Sequence, residues 1–358
     1  MPPSDIDSQL MRSEDGTLRL RQSAEAKFVL ISQDEKIYHS NDQLSRYWSD
    51  GSFTKLPAKS AGRTVMSSDF LSEVYGLIRH PETAERVGSL LDVGTDGYYT
   101  NERCLADFAE CSKVVRLLSQ GKYKCIFLTD HSPIHSKFAQ NALNVKAMNV
   151  KPGGKQPKMR DGWFISDGRR VVQEMNFAED HPLYPGKPKG LREVVRERFG
   201  ASAIVGKRHD DLVAMLQSCD DFVSQKSLLE EEAVARGDII IFGVKFHPEL
   251  MPIEAAYRTI SKAVRVSNTT GSSSGFKRRV DECQRTPELT LELIRKYFRS
   301  AREYLRNYSE GKSMAEIETL RSERRKHREP AVLLNEGAAD EEDSQLFKKG
   351  RYDRNRLE

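Results

Sequence analysis

The sequence predicts an α/β fold, and three observations carry that prediction. Dense apolar runs at 27–32 (KFVLIS), 122–130 (KYKCIFLTD) and 238–246 (DIIIFGVKF) have the length and β-branched content of buried strands. Between and after them lie stretches with apolar residues at helical spacing. Hydrophobic residues make up 38% of the 358, enough to cover a sheet with helices in one large domain or two smaller ones.

Taken in order, residues 1–26 form a polar arm, and the first strand begins at Lys27 and ends near Asp34. Two further short strands are expected around Ile37–Tyr38 and Arg63–Ser67, separated by the turn-rich WSDGS. In NERCLADFAECSKVVRLLSQG, Leu105, Phe108, Cys111, Val115 and Leu118 mark one helical face and Gly121 stops it. The strand that follows closes on Asp130. Residues 144–190 are rich in Pro, Gly and Lys with little periodicity, so we expect a surface excursion that buries no core. A helix over GLREVVRERFG and another within 210–236 lead to the strand IIIFGV. Ile253, Ala256, Tyr257, Ile260 and Val264 then line a helix with Pro252 at its first position. SNTTGSSSG at 267–275 reads as a flexible joint. The last third holds the helix LELIRKYFRSAREYLRNY, the basic run RSERRKHR, an acidic patch and a basic tail.

The bulk properties exclude several classes. The first sixteen residues hold no apolar segment suited to a signal peptide, and the longest strongly apolar run falls far short of a membrane span. Five scattered cysteines without a CxxC indicate neither a disulfide framework nor a cysteine zinc site, which points to a reducing, intracellular setting. A net charge of +4 permits a nucleic-acid partner and does not by itself establish one.

Three acids occupy special places: Asp34 and Asp130 at strand ends, Glu254 in the first turn of a helix. In an α/β sheet, side chains at strand ends and helix starts converge on one edge. Two Asp and one Glu meeting there offer hard oxygen ligands for Mg²⁺ or Mn²⁺, and a pair of such ions serves in-line phosphoryl transfer. Singly, each acid has a plainer reading. Asp34 fits a turn, Asp130 fits a cap on the loop HSPIH, and Glu254 fits a favourable charge at a helix N-terminus. His131 and His135 have metal-site spacing, but Pro133 between them opposes a helix there. Lys151, Lys155, Lys158 and Arg160 surround Gly153-Gly154 without an intervening acid, a pattern that suits either a solvated loop or a phosphate clamp.

The blocks QDEKIYHSND, FLTDHSPIH and FHPELMPIE resemble the three acidic blocks of mariner-like DDE transposases. ALNVKAMNVKPGGKQPKMRDGW, KGLREVVRERFG and GRTVMSSDFL resemble more closely one branch of that family found in fungal and early-animal genomes. The likeness spans about residues 27–310. It implies a ribonuclease H-like core, a mixed five-stranded sheet with flanking helices, a loop-rich insertion between strands four and five, and a helical C-terminal extension. Carried across residue by residue, the triad falls on Asp34, Asp130 and Glu254, and His135 takes the place of the family's loop histidine. Two departures stand out: Met251 where the family has Asn, and Tyr257 where a Trp often stands. The spacing from Asp130 to Glu254 exceeds that of ordinary mariner-like enzymes, and the Lys-rich insertion accounts for the excess.

The expected organisation is a polar arm at 1–26, a catalytic core at 27–266 with an insertion at about 144–236, and a helical extension at 267–358. The expected activity is two-metal cutting and joining of DNA strands, with two Mg²⁺ or Mn²⁺ ions on Asp34, Asp130 and Glu254, and with Lys151, Lys155, Lys158 and Arg160 on DNA. We expect a homodimer, no membrane segment and no small-molecule cofactor. Only 26 residues precede the first strand, so the expectation is a chain without the family's helix-turn-helix modules. The run at 321–328 suits a nuclear address or a solvated helix end. The rival function is a transposon-derived nucleic-acid-binding relic without catalysis, and a ribonuclease H-like nuclease with no part in transposition is a third reading.

Overall fold

Alternation decides the layers. The computed structural model describes residues 10–12, 18–20, 27–44, 59–268 and 275–327. Its central strand, β1 (Lys27–His39), sends Val29, Ile31, Gln33 and Glu35 to one face and Leu30, Ser32, Asp34 and Tyr38 to the other. The first face meets α1 (Asn101–Leu118), where Ile31, Phe70, Phe108, Cys111 and Phe127 form a core. Phe108 contacts the rings of Phe70 and Phe127 edge-on at 5.2 and 4.9 Å. The second face lies under α6 (Pro252–Ser267), whose Ile253, Ala256, Tyr257, Ile260 and Val264 are all buried as the spacing predicts.

The sheet follows from β1 outward. On one side β2 (Thr64–Ser72) pairs antiparallel, and two short pieces, β3 (Gly76–Leu77) and β4 (Leu90–Asp92), both pair antiparallel to β2. On the other side β5 (Tyr123–Thr129) runs parallel to β1, and β8 (Ile239–Phe242) runs parallel to β5. The six strands thus occupy five positions in a mixed sheet, with the edge position beyond β2 split between β3 and β4. This is the ribonuclease H-like arrangement expected from the sequence. A pair of three-residue strands, Leu10–Arg12 and Leu18–Leu20, forms a separate antiparallel ribbon.

Two expectations need correction. The first strand does not end near Asp34: it continues to His39 and absorbs the separate strand expected at Ile37–Tyr38, because β2 pairs with it from Ile31 to His39. Polar Gln33-Asp34-Glu35-Lys36 reads as a turn, yet every residue of it sits in that ladder. Nor is the excursion after Asp130 without a core. It carries the hairpin β6 (Gly162–Ser166) and β7 (Arg169–Gln173), then α2 (Leu191–Phe199), α3 (His209–Gln217), α4 (Asp220–Val223) and α5 (Leu228–Arg236). Met148, Met159 and Met175 are buried with Leu191, Val195, Leu212 and Leu216 in a cluster of their own. Scattered methionines lack periodicity, so the sequence hides this core. Arg198 and Asp221, whose side chains are both 1% exposed, form a two-point ion pair inside it at 2.8 and 2.6 Å. Such a pair is costly to break rather than strongly stabilising.

Past α6, α7 (Phe276–Cys283) and the front of α8 (Leu291–Ser309) add Phe276, Val280, Ile294 and Phe298 to the α6 cluster. The chain forms two compact units, Met1–Ala301 and Arg302–Glu358. Within the second unit, α9 (Met314–His327) contributes Arg321, which pairs with Glu303 at 2.8 Å. Most of the joint at 267–275, the side chains of the basic run beyond Glu323, and the charged tail lie outside the described residues, as does most of the polar arm. No helix among the described residues is long and apolar enough to cross a membrane.

Candidate active site

The adjacent acids Asp34 and Glu35 are split by the pleat. Asp34 faces α6 and Glu35 faces the α1 layer. Asp130 follows the last residue of β5, at the sheet edge where both layers are within reach. Glu254 is the third residue of α6, after Pro252 at the first position. Asp34, Asp130 and Glu254 line a single cavity of about 360 Å³, together with His131, Met251 and the segment Gly243–Pro248. The structure therefore brings the three acids of the sequence reading together.

Their mutual charge leaves a mark. Burial, and then the carboxylates of Glu35, Glu254 and Asp130, push the Asp34 carboxyl up to about 8, against one opposing hydrogen bond from the Glu35 N–H. The cavity thus holds more negative charge than it can solvate, and a divalent cation relieves that kind of crowding. Three carboxylates also make a hard donor set that suits Mg²⁺ or Mn²⁺.

His135 serves the site from beneath. Its ring is fully buried, with Nδ1 donating to Asp130 Oδ1 at 2.6 Å. Nε2 faces Glu35 Oε1 at 3.2 Å, an ion pair whose alignment falls short of a hydrogen bond. Burial opposes a charged imidazole, but the hydrogen bond to Asp130 and the neighbouring Cys104 and Glu35 outweigh it and push His135 up to about 12. The same contact holds the Asp130 carboxyl below its usual range although burial works the other way. Glu35, Asp130 and His135 each place one ligating atom within 4.8 Å of the others. A charged imidazolium between two carboxylates already neutralises that cluster and repels a metal cation, so it fits a cation worse than the cavity does. His131 instead lines the cavity and stacks on Phe242 at 4.4 Å.

The sequence reading missed Glu35, Gln33 and Thr129. Thr129 Oγ1 donates to Gln33 Oε1 at 2.5 Å, and Gln33 Nε2 donates to Glu35 Oε1 at 2.8 Å. This buried chain ties β1 to β5 directly below Asp130. Its sequence signal is the QDE triplet, in which alternation sends Gln33 and Glu35 to the histidine side. Tyr257, one turn after Glu254, donates its hydroxyl to the carbonyl of Asp34 at 2.5 Å.

The four basic residues of the insertion divide. Lys151, Lys155 and Lys158 are exposed, and Lys158 stands 3.7 Å from Glu179. Arg160 is committed elsewhere: it grips both carboxylate oxygens of Glu231 on α5 at 2.6 and 3.1 Å and also donates to Asn141. Gly153 and Gly154 both have φ of +78°, the left-handed turn that brings the lysines to the surface.

No family model matches this chain, and no curated protein matches it either. Among solved structures it is similar to a pre-cleavage Mos1 transpososome, with TM-score 0.30 and 10% identity over 76% of this chain and 55% of that one. It is also similar to the Mos1 mariner paired end complex with Mn, with TM-score 0.28 and 12% identity over 76% and 55%. A third likeness, to the mariner Mos1 paired end complex with Mg, has TM-score 0.22 and 17% identity over 30% of each chain. This chain spans about half the length of the first of these.

Proposed function

We propose that this chain is a divalent-metal-dependent DNA strand-cutting and strand-joining enzyme of the DDE transposase type. The observation that carries the reading is the convergence of Asp34, Asp130 and Glu254 on one cavity, with the Asp34 carboxyl pushed up to about 8 by burial and by its neighbours. The sheet order and the DDE-like blocks of the sequence support it.

In this reading Asp34, Asp130 and Glu254 hold one or two Mg²⁺ or Mn²⁺ ions. Held by these three carboxylates, such ions would supply Lewis-acid activation of the attacking oxygen and stabilisation of the leaving one in phosphodiester displacement. The chain's own residues do the positioning. His135 fixes the rotamer of Asp130 and keeps it ionised. Tyr257 ties Asp34 to the helix that carries Glu254. Lys151, Lys155 and Lys158 supply sequence-blind phosphate affinity. The basic run at 321–328 acts as a nuclear address, and the working assembly is a homodimer.

The test is supercoiled plasmid incubated with purified protein and Mg²⁺ or Mn²⁺. We expect slow nicking with little sequence preference, abolished by Asp130→Asn while DNA binding stays nearly intact. A wild-type chain that binds DNA but never nicks it with either metal overturns the enzyme reading, and the relic binding protein takes its place.

A further inference from the structure

Phe246 is 96% exposed and has a backbone φ of +66°. A bulky residue in the left-handed region is strained, and burial normally repays such strain. Here no burial does, because the ring stands in solvent on the wall of the carboxylate cavity. Both ends of its segment are pinned. The Gly243 N–H donates to the Thr129 carbonyl at 2.7 Å, and His247 beyond it pairs with Glu249 at 2.7 Å before the turn Pro248–Leu250. Lys245, also exposed, adjoins the ring. An aromatic face and an ammonium, held out beside a cavity that receives a phosphodiester, match a nucleobase and its adjoining phosphate.

We propose that Phe246 is a stacking platform for an unpaired nucleobase next to the phosphate entering the cavity, with Lys245 on a flanking phosphate. The inference rests on the DNA-cutting reading and adds a substrate preference to it. A base inside a duplex has both faces covered by its neighbours, so the ring can engage only a base that is single-stranded, mismatched or flipped out. The enzyme accordingly favours single strands, flaps and mismatches over perfect duplex.

The experiment uses the full chain in EDTA, so that binding is read apart from activity. The probes are a single-stranded oligonucleotide bearing 2-aminopurine and a matched duplex. Wild type should quench the 2-aminopurine on binding, as stacking does. Phe246→Ala should lose the quench and weaken single-strand affinity by about 5- to 150-fold, the usual worth of one base–aromatic stack. Duplex affinity should hardly move, and Phe246→Trp should restore both the quench and the affinity. Phe246→Gly relieves the backbone while removing the ring, and should behave like Phe246→Ala. Wild-type quench and affinity in Phe246→Ala, or equal losses on both probes, overturn the stacking role and leave the DNA-cutting reading standing. A wild-type chain that binds neither probe overturns the stacking role, and the plasmid test with Mg²⁺ or Mn²⁺ decides the DNA-cutting reading separately.

Discussion

The hydroxyl of Tyr257 donates to the backbone carbonyl of Asp34 at 2.5 Å, joining the central strand to the helix that carries Glu254. Tyr257 is 1% exposed, so its ring packs in the α6 core while its tip reaches the strand. Residues 254 and 257 are three apart and lie on neighbouring parts of one helix face. The bond therefore sets the height of Glu254 over Asp34. A Trp in this place, as often in the resembled family, carries its one donor on a larger ring, so the Tyr departure preserves the polar tip in a smaller volume.

Tyr257→Phe keeps the ring and removes that link. The lost hydrogen bond and the stranded carbonyl should cost about 1–3 kcal/mol of stability, read by urea unfolding. Nicking in Mn²⁺ should fall roughly tenfold in rate, with little change in DNA affinity, because looser placement of the acids costs the chemical step. An unchanged rate at full DNA affinity would show that the carboxylates are aligned without this bond.

Crowded acids make the carboxylate cavity a weak point in the fold. A carboxyl whose folded pKa stands above its unfolded value opposes folding, and increasingly so as pH rises from the unfolded pKa near 4 to the folded value of about 8. Asp34→Asn removes that burden. In EDTA its melting temperature should exceed that of wild type, by about 2–4 °C for each kcal/mol relieved. The gain should be larger at pH 8.5 than at pH 5. Added Mg²⁺ or Mn²⁺ should stabilise wild type and leave Asp34→Asn nearly unmoved, since only the former gains a ligand-bound folded state. A variant that melts lower than wild type at pH 8.5 contradicts the electrostatic account.

How far the sequence spoke for this arrangement depended on periodicity. The apolar runs at Lys27, Tyr123 and Ile239 located three strands, and the spacing of Ile253 through Val264 located α6, because burial imposes period 2 or 3.6 on such segments. Asp34, Asp130 and Glu254 were legible as acids at element boundaries, although Asp34 turned out to lie within its strand. The polar chain Glu35–Gln33–Thr129 was not, since Gln33 and Thr129 lie 96 residues apart and leave no local pattern. The methionine-lined core of the insertion was hidden for a similar reason. Its buried residues are dispersed among Pro, Gly and Lys, and only tertiary contacts give them a common face.

The insertion lysines test the DNA reading independently of the cavity. Lys158 faces Glu179 at 3.7 Å, but that pair is open to solvent and contributes little, so Lys158 remains available to phosphate. Arg160 is left out of this set because its guanidinium is paired with Glu231. Replacing Lys151, Lys155 and Lys158 with Gln together should flatten the slope of log affinity against log salt by up to about three units. An unchanged slope in a titration from low to physiological salt would mean that this loop does not touch the backbone of DNA.

Met251 stands where the resembled family has Asn, at the N-cap of α6, and no side chain caps that position. Asn there would accept an orphan N–H of the first turn, worth about 0.5–2 kcal/mol. Two observations oppose a net gain. The Ser32 hydroxyl already lies 3.4 Å from the Ile253 N–H, so one of the orphans has a partner from the sheet. Met251 is only 8% exposed, and burying its apolar side chain is worth roughly 1.5–3 kcal/mol that Asn forfeits. The lost apolar burial outweighs the gained cap. Met251→Asn should therefore destabilise the chain by about 1 kcal/mol or slightly more, the difference between those two effects. Nicking should not rise, because Glu254 already shares the cavity with Asp34 and Asp130. Unfolding in urea and plasmid nicking in Mn²⁺ read the two effects separately. A variant that is both more stable and more active would show that the Met leaves the helix start misplaced.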